Sequence, residues 1–248
     1  MGILQKIVAN TKANLAHKKA ELPLEKIQSS LENLKLPRGK FKDHISSKDE
    51  AIIAEIKKAS PSAGVIKEDF DPTKIAMEYE SFGASALSIL TEEDFFMGSV
   101  EYLKEVKKIT SLPILRKDFM IDEYQIYESK LIGADCILLI ASILTDQEID
   151  NFINIAKKLE LDYLIEVHDE NELKRVEHFE DALIGVNNRN LETFEVDLNN
   201  SVRLRNTFKQ KNIFIAESGI KSREDMNYLK MNNIKVFLIG ESLMRGSF

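Results

Sequence analysis

Eight short runs rich in Ile, Val and Leu recur along the chain, at residues 51–56, 85–90, 113–115, 136–140, 163–167, 182–186, 213–216 and 236–239. Apolar runs of this length bounded by turn residues read as strands buried on both faces, the pattern of a parallel sheet. Between them lie amphipathic helical segments, predicted at 71–82, 100–110, 122–131, 146–159, 170–178, 198–208 and 223–231. Asp71, Asp122, Thr145, Asp169 and Ser222 are placed to cap several of these helices. Gly83, Gly133 and the Asn232-Asn233 pair supply residues tolerant of the left-handed region where helices must stop.

The strand-helix unit repeats roughly every 26 residues, a spacing that suits an α/β fold of the (β/α)8 TIM-barrel type. The structural rival is a doubly wound open sheet, which usually carries a glycine-rich turn after its first strand. Here that strand runs instead into Lys57-Lys58-Ala59-Ser60-Pro61-Ser62. Two further helical patterns, 3–20 and 24–34, precede the first strand and are separated by Pro23. We expect residues 1–248 to form a single barrel domain with 1–48 as an N-terminal helical extension. The extension either caps one end of the barrel or also walls its pocket. Only residues 241–248 follow the last strand, so the eighth helix is expected to be short, either vestigial or truncated.

With 248 residues, 44% hydrophobic and 30% charged, the chain has the makings of a large core. Its net charge of -7 opposes non-specific binding to nucleic acid or anionic membranes, because phosphate backbones demand clustered cations. Cys136 is the sole cysteine, which excludes an intrachain disulfide and a cysteine-based zinc site. The four histidines lack metal-ligand spacing, and no cofactor motif appears. No apolar stretch approaches membrane-spanning length and the N-terminus lacks a signal-peptide core. We therefore expect a cytoplasmic protein, a monomer or weak homo-oligomer, in which any bound phosphate is small and locally held.

Residues two apart in a strand share a face. Ile53, Glu55 and Lys57 should therefore point to the same side, as should Leu115 and Lys117, Leu164 and Glu166, Gly185, Asn187 and Arg189, and Ile215 and Glu217. Each inward row ends in a polar group. Barrel active sites sit at the C-terminal ends of strands, so these groups should converge on one cavity. Neighbouring amines would favour each other's neutral forms, while nearby carboxylates would favour the charged forms. An ion-pair ring closing the barrel mouth is the structural alternative. Gly219 and Gly240 follow the seventh and eighth strands, where barrels often hold phosphate, although Glu241 would repel it unless turned away. His168 lies two residues past Glu166, as a helix-start residue or a support for that carboxylate. Phe95, Phe96 and Phe119 are packing residues or walls for a flat ring.

The segments Ala54-Glu55-Ile56-Lys57, Leu115-Arg116-Lys117-Asp118-Phe119, Leu164-Ile165-Glu166-Val167-His168, Gly185-Val186-Asn187-Asn188-Arg189, Ala216-Glu217-Ser218-Gly219 and Ile239-Gly240-Glu241-Ser242, taken in order, resemble the indole-3-glycerol phosphate synthase family. The resemblance implies decarboxylating ring closure and dehydration of 1-(2-carboxyphenylamino)-1-deoxyribulose 5-phosphate, without metal or organic cofactor. It implies Lys117 as general acid, Lys57 beside it holding the substrate carboxylate and sharing acid duty, and Glu166 and Glu55 as the candidates for the later acid and base work, with the division between them open. It implies that Asn187 and Glu217 orient the sugar hydroxyls and the catalytic amines, that Arg189 meets the anthranilate carboxylate, and that Ser60, Ser218, Gly219 and Gly240 hold phosphate. The chain departs from the family pattern in its short eighth helix and at Ala63, where the family is often basic. Rival functions are another phosphate-binding barrel reaction, such as phosphoribosylanthranilate isomerisation, and a non-catalytic phosphate-binding subunit.

Overall fold

Eight parallel strands close on themselves: β1 (Ala51–Ile56), β2 (Ala86–Leu90), β3 (Ile114–Lys117), β4 (Cys136–Ile140), β5 (Asp162–Val167), β6 (Leu183–Asn187), β7 (Phe214–Glu217) and β8 (Val236–Ile239). Each pairs with its neighbours in sequence, and β1 pairs with β8 to complete a TIM barrel. The computed structural model describes residues 2–34, 36–191 and 193–248. The barrel helices are α4 (Pro72–Phe82), α5 (Val100–Ile109), α6 (Glu123–Leu131), α7 (Asp146–Lys158), α8 (Glu170–Val176), α9 (Asn199–Thr207), α10 (Arg223–Met231) and α11 (Glu241–Met244), after α1 (Ile3–Glu21), α2 (Leu24–Asn33) and α3 (Phe41–Ser46).

Capping follows the side-chain chemistry. Asp71, Asp122, Thr145, Asp169 and Ser222 each accept backbone N–H groups at a helix start, and Thr145 and Ser222 complete capping boxes with Glu148 and Asp225. Gly83 closes α4 in the left-handed region, where any side chain would be strained.

Strand parity divides the core. Ile52, Ala54 and Ile56 face the helices, within a layer that runs around the outside of the sheet. Ile53, Ala86, Leu115, Leu138, Leu164, Ile215 and Leu238 fill the inside. Phe41 and Ile45 of α3 plug the N-terminal end of the barrel and are fully buried there. This short helix carries no periodic signal in the sequence. Leu15 and Ile27 of the extension pack on Tyr124 of α6.

Several strands run further than the apolar pattern predicts. β3 reaches Lys117, β6 reaches Asn187 and β7 reaches Glu217, because ladder pairing holds Lys117 beside Leu90 and Asn187 beside Glu217. Hydropathy marks the dry part of a strand, while backbone pairing continues into its polar end. Conversely, α8 ends at Val176, short of the predicted residue 178. α11 has only four residues before the chain turns at Gly246. Two pairings add to the prediction: a hairpin joining Ala59–Ser60 to Gly64–Val65, and a bridge between Arg189 and Val196. Among the described residues no helix is long and apolar enough to cross a membrane.

Candidate active site

A cavity of about 700 Å³ opens at the C-terminal ends of the strands. Glu55, Lys57, Ser60, Lys117, Phe119, Glu166, Asn187, Arg189, Glu217, Ser218, Gly219 and Gly240 all line it, so all twelve predicted residues meet in one place. Inward parity brings the charged ends over an apolar floor that includes Leu138 and Leu238.

The floor chemistry is a linked set of ion pairs. Lys117 Nζ donates to Glu166 Oε2 at 2.8 Å and to Glu217 Oε2 at 2.6 Å. Asn187 Nδ2 donates to Glu166 Oε1 at 3.1 Å, and Lys57 Nζ donates to Glu55 Oε1 at 2.5 Å. Glu55, Glu166 and Glu217 are all buried. Two glycines make room for them: a Cβ at Gly185 would overlap Glu217 Oε1, and one at Gly240 would overlap Glu55 Oε1. Gly240 thus has a packing reason to be glycine besides any approach of phosphate.

The charge states follow from these contacts. Burial opposes charge on Lys117, yet Glu166, Glu217 and Glu55 outweigh it and hold the ammonium well above its ordinary range. Of the two opposing influences expected on the amines, the carboxylates therefore decide the state of this lysine. Burial likewise opposes charge on Glu166, but Lys117 and His168 hold it well below the carboxylate range. Glu217 goes the other way: burial, with help from Glu166 and Glu55, pushes it up to about 7 against the pull of Lys117. The divergence has a visible cause. Glu166 engages Lys117 and Asn187 and faces His168, whereas Glu217 has Lys117 alone, and its Oε1 accepts no hydrogen bond from the described residues.

Around the rim, Ser218 (φ 66°) and Gly219 (φ 83°) both take the left-handed conformation, turning the chain sharply after β7. Val196 covers Gly219 so closely that a Cβ there would overlap it. Lys221, Arg245 and Ser247 join this corner, cations and a hydroxyl that strand parity cannot reach because they lie in loops. Glu241 also lines the cavity, paired with Arg245 (3.1 Å) and Arg189 (3.9 Å). Phe96 and Phe119, tilted against each other with ring centroids 5.8 Å apart, also line the cavity, as do Ile3, Leu4 and Ile7 of α1. The extension therefore does both things weighed for it, since α3 plugs one end and α1 walls the cavity at the other. Asn14 and Lys18 anchor α1 to Asp94 and Glu93 in the loop after β2. Among the described residues no cluster of three or more His, Cys, Asp or Glu side chains is arranged to hold a metal ion.

A closed barrel carrying two amines, three carboxylates and an amide on its floor, with a cationic corner, can bind a phosphorylated anion and move protons on it. Comparison with known proteins agrees. The family model for indole-3-glycerol phosphate synthase matches residues 4–247. Indole-3-glycerol phosphate synthase of Ruminiclostridium cellulolyticum is 47% identical over 98% of this chain and 94% of its own length. That of Lachnoclostridium phytofermentans is 45% identical over 99% and 95%. Among solved structures, the N-acetylmannosamine-6-phosphate 2-epimerase of Clostridium perfringens has a TM-score of 0.62 at 14% identity, covering 82% of this chain and 92% of its own. Phosphoribosylanthranilate isomerase of Thermotoga maritima has a TM-score of 0.55 at 10% identity, covering 78% and 88%. These two likenesses speak for the fold alone. With the family model spanning nearly the whole chain, the protein belongs to the indole-3-glycerol phosphate synthase family.

Proposed function

We propose that the protein converts 1-(2-carboxyphenylamino)-1-deoxyribulose 5-phosphate into indole-3-glycerol phosphate, carbon dioxide and water, as a carboxy-lyase of tryptophan biosynthesis. The observation that carries this reading is the Lys117 ammonium held between Glu166 and Glu217 on the cavity floor. Ring closure leaves negative charge on the substrate's carbonyl oxygen, and an ammonium facing the cavity supplies the proton. Lys117 is the general acid. Once it has given up its proton, Glu166 loses its strongest partner and becomes a better base.

The substrate's phosphate goes to the corner of Ser218, Gly219 and Gly240, with Ser60, Lys221 and Arg245 nearby. Its carboxylate meets Lys57 and Arg189, and its aromatic ring lies against Phe96 and Phe119. Carbon dioxide leaves as the ring regains aromaticity. Dehydration then needs a base for the proton on the ring-nitrogen side and an acid for the departing hydroxyl. Glu166 takes the first, and the Lys57 ammonium, held by Glu55, gives its proton to the second. Asn187 and Glu217 orient Glu166 and Lys117.

We further propose that residues 1–248 act as one domain whose N-terminal helices belong to the site. The protein works in the cytoplasm, as a monomer or weak homo-oligomer, on a small molecule and not on nucleic acid or membranes. The net charge of -7 and the single cysteine support this setting. The test is to supply the carboxyphenylamino-deoxyribulose phosphate and follow indoleglycerol phosphate fluorescence. Product should form at an undiminished rate in EDTA. No product from folded protein would defeat the reading, and loss of activity with EDTA would defeat its metal-free chemistry.

A further inference from the structure

One titratable side chain touches the ring of charges without lining the cavity. His168 leaves the end of β5 with its side chain mostly buried, Nε2 3.4 Å from Glu166 Oε1 and Nδ1 3.1 Å from Glu172 Oε2. Glu172 Oε2 also accepts the backbone N–H of His168 at 2.8 Å, so one carboxylate grips both backbone and ring. Nδ1 is within hydrogen-bond reach of Glu172, while Nε2 meets Glu166 at ion-pair distance without an aligned hydrogen bond; a neutral imidazole would turn a lone pair toward one of these oxygens, and only the doubly protonated ring presents positive charge and an N–H to both.

The surroundings fix the ring in place. Asn200 of α9 donates to the carbonyls of His168 (3.0 Å) and Asn187 (3.3 Å), tying the ends of β5 and β6 together. Asp169 is occupied in capping α8 through the N–H groups of Asn171 and Glu172. The charged groups that bear on the imidazole are thus Glu166 from β5 and Glu172 from α8, with Lys117 of β3 beyond Glu166. The cavity floor sets three carboxylates against two ammonium groups, and an imidazolium behind Glu166 makes the sets equal.

We infer that His168 is a positioning residue for the cyclisation: braced by Glu172 as an imidazolium, it orients Glu166 so that Oε1 faces Asn187 and the ring while Oε2 is left to Lys117 and the cavity. The inference rests on the proposed reading of Glu166 as the base. Burial would lower the His168 pKa, but Glu166 and Glu172 raise it to about 10, which agrees with the geometry.

Two measurements test it. In 15N spectra of the wild-type protein, the His168 ring should be doubly protonated at about pH 7.5, and a neutral tautomer there would overturn the inference. In turnover assays, His168→Gln should lower kcat on the order of 10-fold while KM stays within about threefold. Removing a cation raises the carboxylate it faced, so the acidic limb of kcat should also move up by about one pH unit or more. A loss uniform across pH, or no loss, would overturn it. Should His168→Gln fail to fold, Glu172→Gln replaces it: the His168 ring should then lose its second proton at lower pH, and an unmoved titration would count against the brace. A folded wild type that makes no product would defeat the proposed reaction alone, because the ring spectra do not depend on turnover.

Discussion

Arg116 and Lys117 are adjacent on β3 and point to opposite sides of the sheet, each a buried cation between two carboxylates. Arg116 donates to Thr91, Ser129, Asp118 and the Gln125 carbonyl, and pairs with Glu128 at 2.7 Å. These partners enclose the guanidinium, and only 1% of the residue is exposed. Lys117 spends two of its three N–H groups on Glu166 and Glu217 and faces the cavity. A cation enclosed by its partners holds structure. One with a donor to spare beside an empty space can do chemistry.

Breaking each cluster should separate the two roles. Lys117→Ala should lower turnover on the order of 10³-fold. Its thermal melt should stay close to wild type, because Glu217, already pushed up to about 7, takes up a proton when its cation is lost. Arg116→Met should instead cost about 3–5 kcal/mol by denaturant unfolding, the usual penalty for stranding the partners of a buried ion pair. Its folded fraction should keep a near-normal kcat. Lost turnover from a stable Arg116 variant, or a stability collapse in the Lys117 variant, would break the comparison.

Gly185→Ala sharpens it, since a methyl group there displaces Glu217 without removing any charge. The expected loss in kcat is roughly 10- to 100-fold, as for catalytic groups moved by about an ångström. An unchanged kcat would show that Glu217 has slack.

The smallest effect is in pH dependence. Both Glu217 and His168 have folded-state pKa values above their ordinary ones of 4.5 and 6.5. Their contributions to stability are therefore full below those values and are lost as the pH rises through about 7 and about 10. The melting temperature should fall between these pH values in the wild type, and fall less in His168→Gln. An identical slope in both would remove His168 as the titrating group.

Strand parity made much of this site legible in the sequence. The alternation that puts Ile53 inside the barrel also puts Glu55 and Lys57 at its mouth, and the same rule separates Lys117 from Arg116. Parity fails in loops, so Lys221, Arg245 and Ser247 could not be placed on the cavity. It is also silent about small residues: Gly185 reads as one more inward position, although Glu217 occupies the space a side chain would need. Charge state was the least legible property. Two amines and three carboxylates can balance in several ways, and only distances show Lys117 shared between two acids while Glu217 keeps an oxygen unpaired. The N-terminal helices divide similarly, since α1 buries Ile7, Thr11 and Leu15 at four-residue spacing on one face, whereas the α3 plug is too short for periodicity to register.

The central claim is that the Lys117 ammonium drives an indole-forming cyclisation. Its most direct measurement is indoleglycerol phosphate fluorescence from wild-type protein and Lys117→Ala, matched for folded fraction and given the same carboxyphenylamino-deoxyribulose phosphate. The account predicts steady product from the first and almost none from the second. Product from both at similar rates, or from neither, would contradict it.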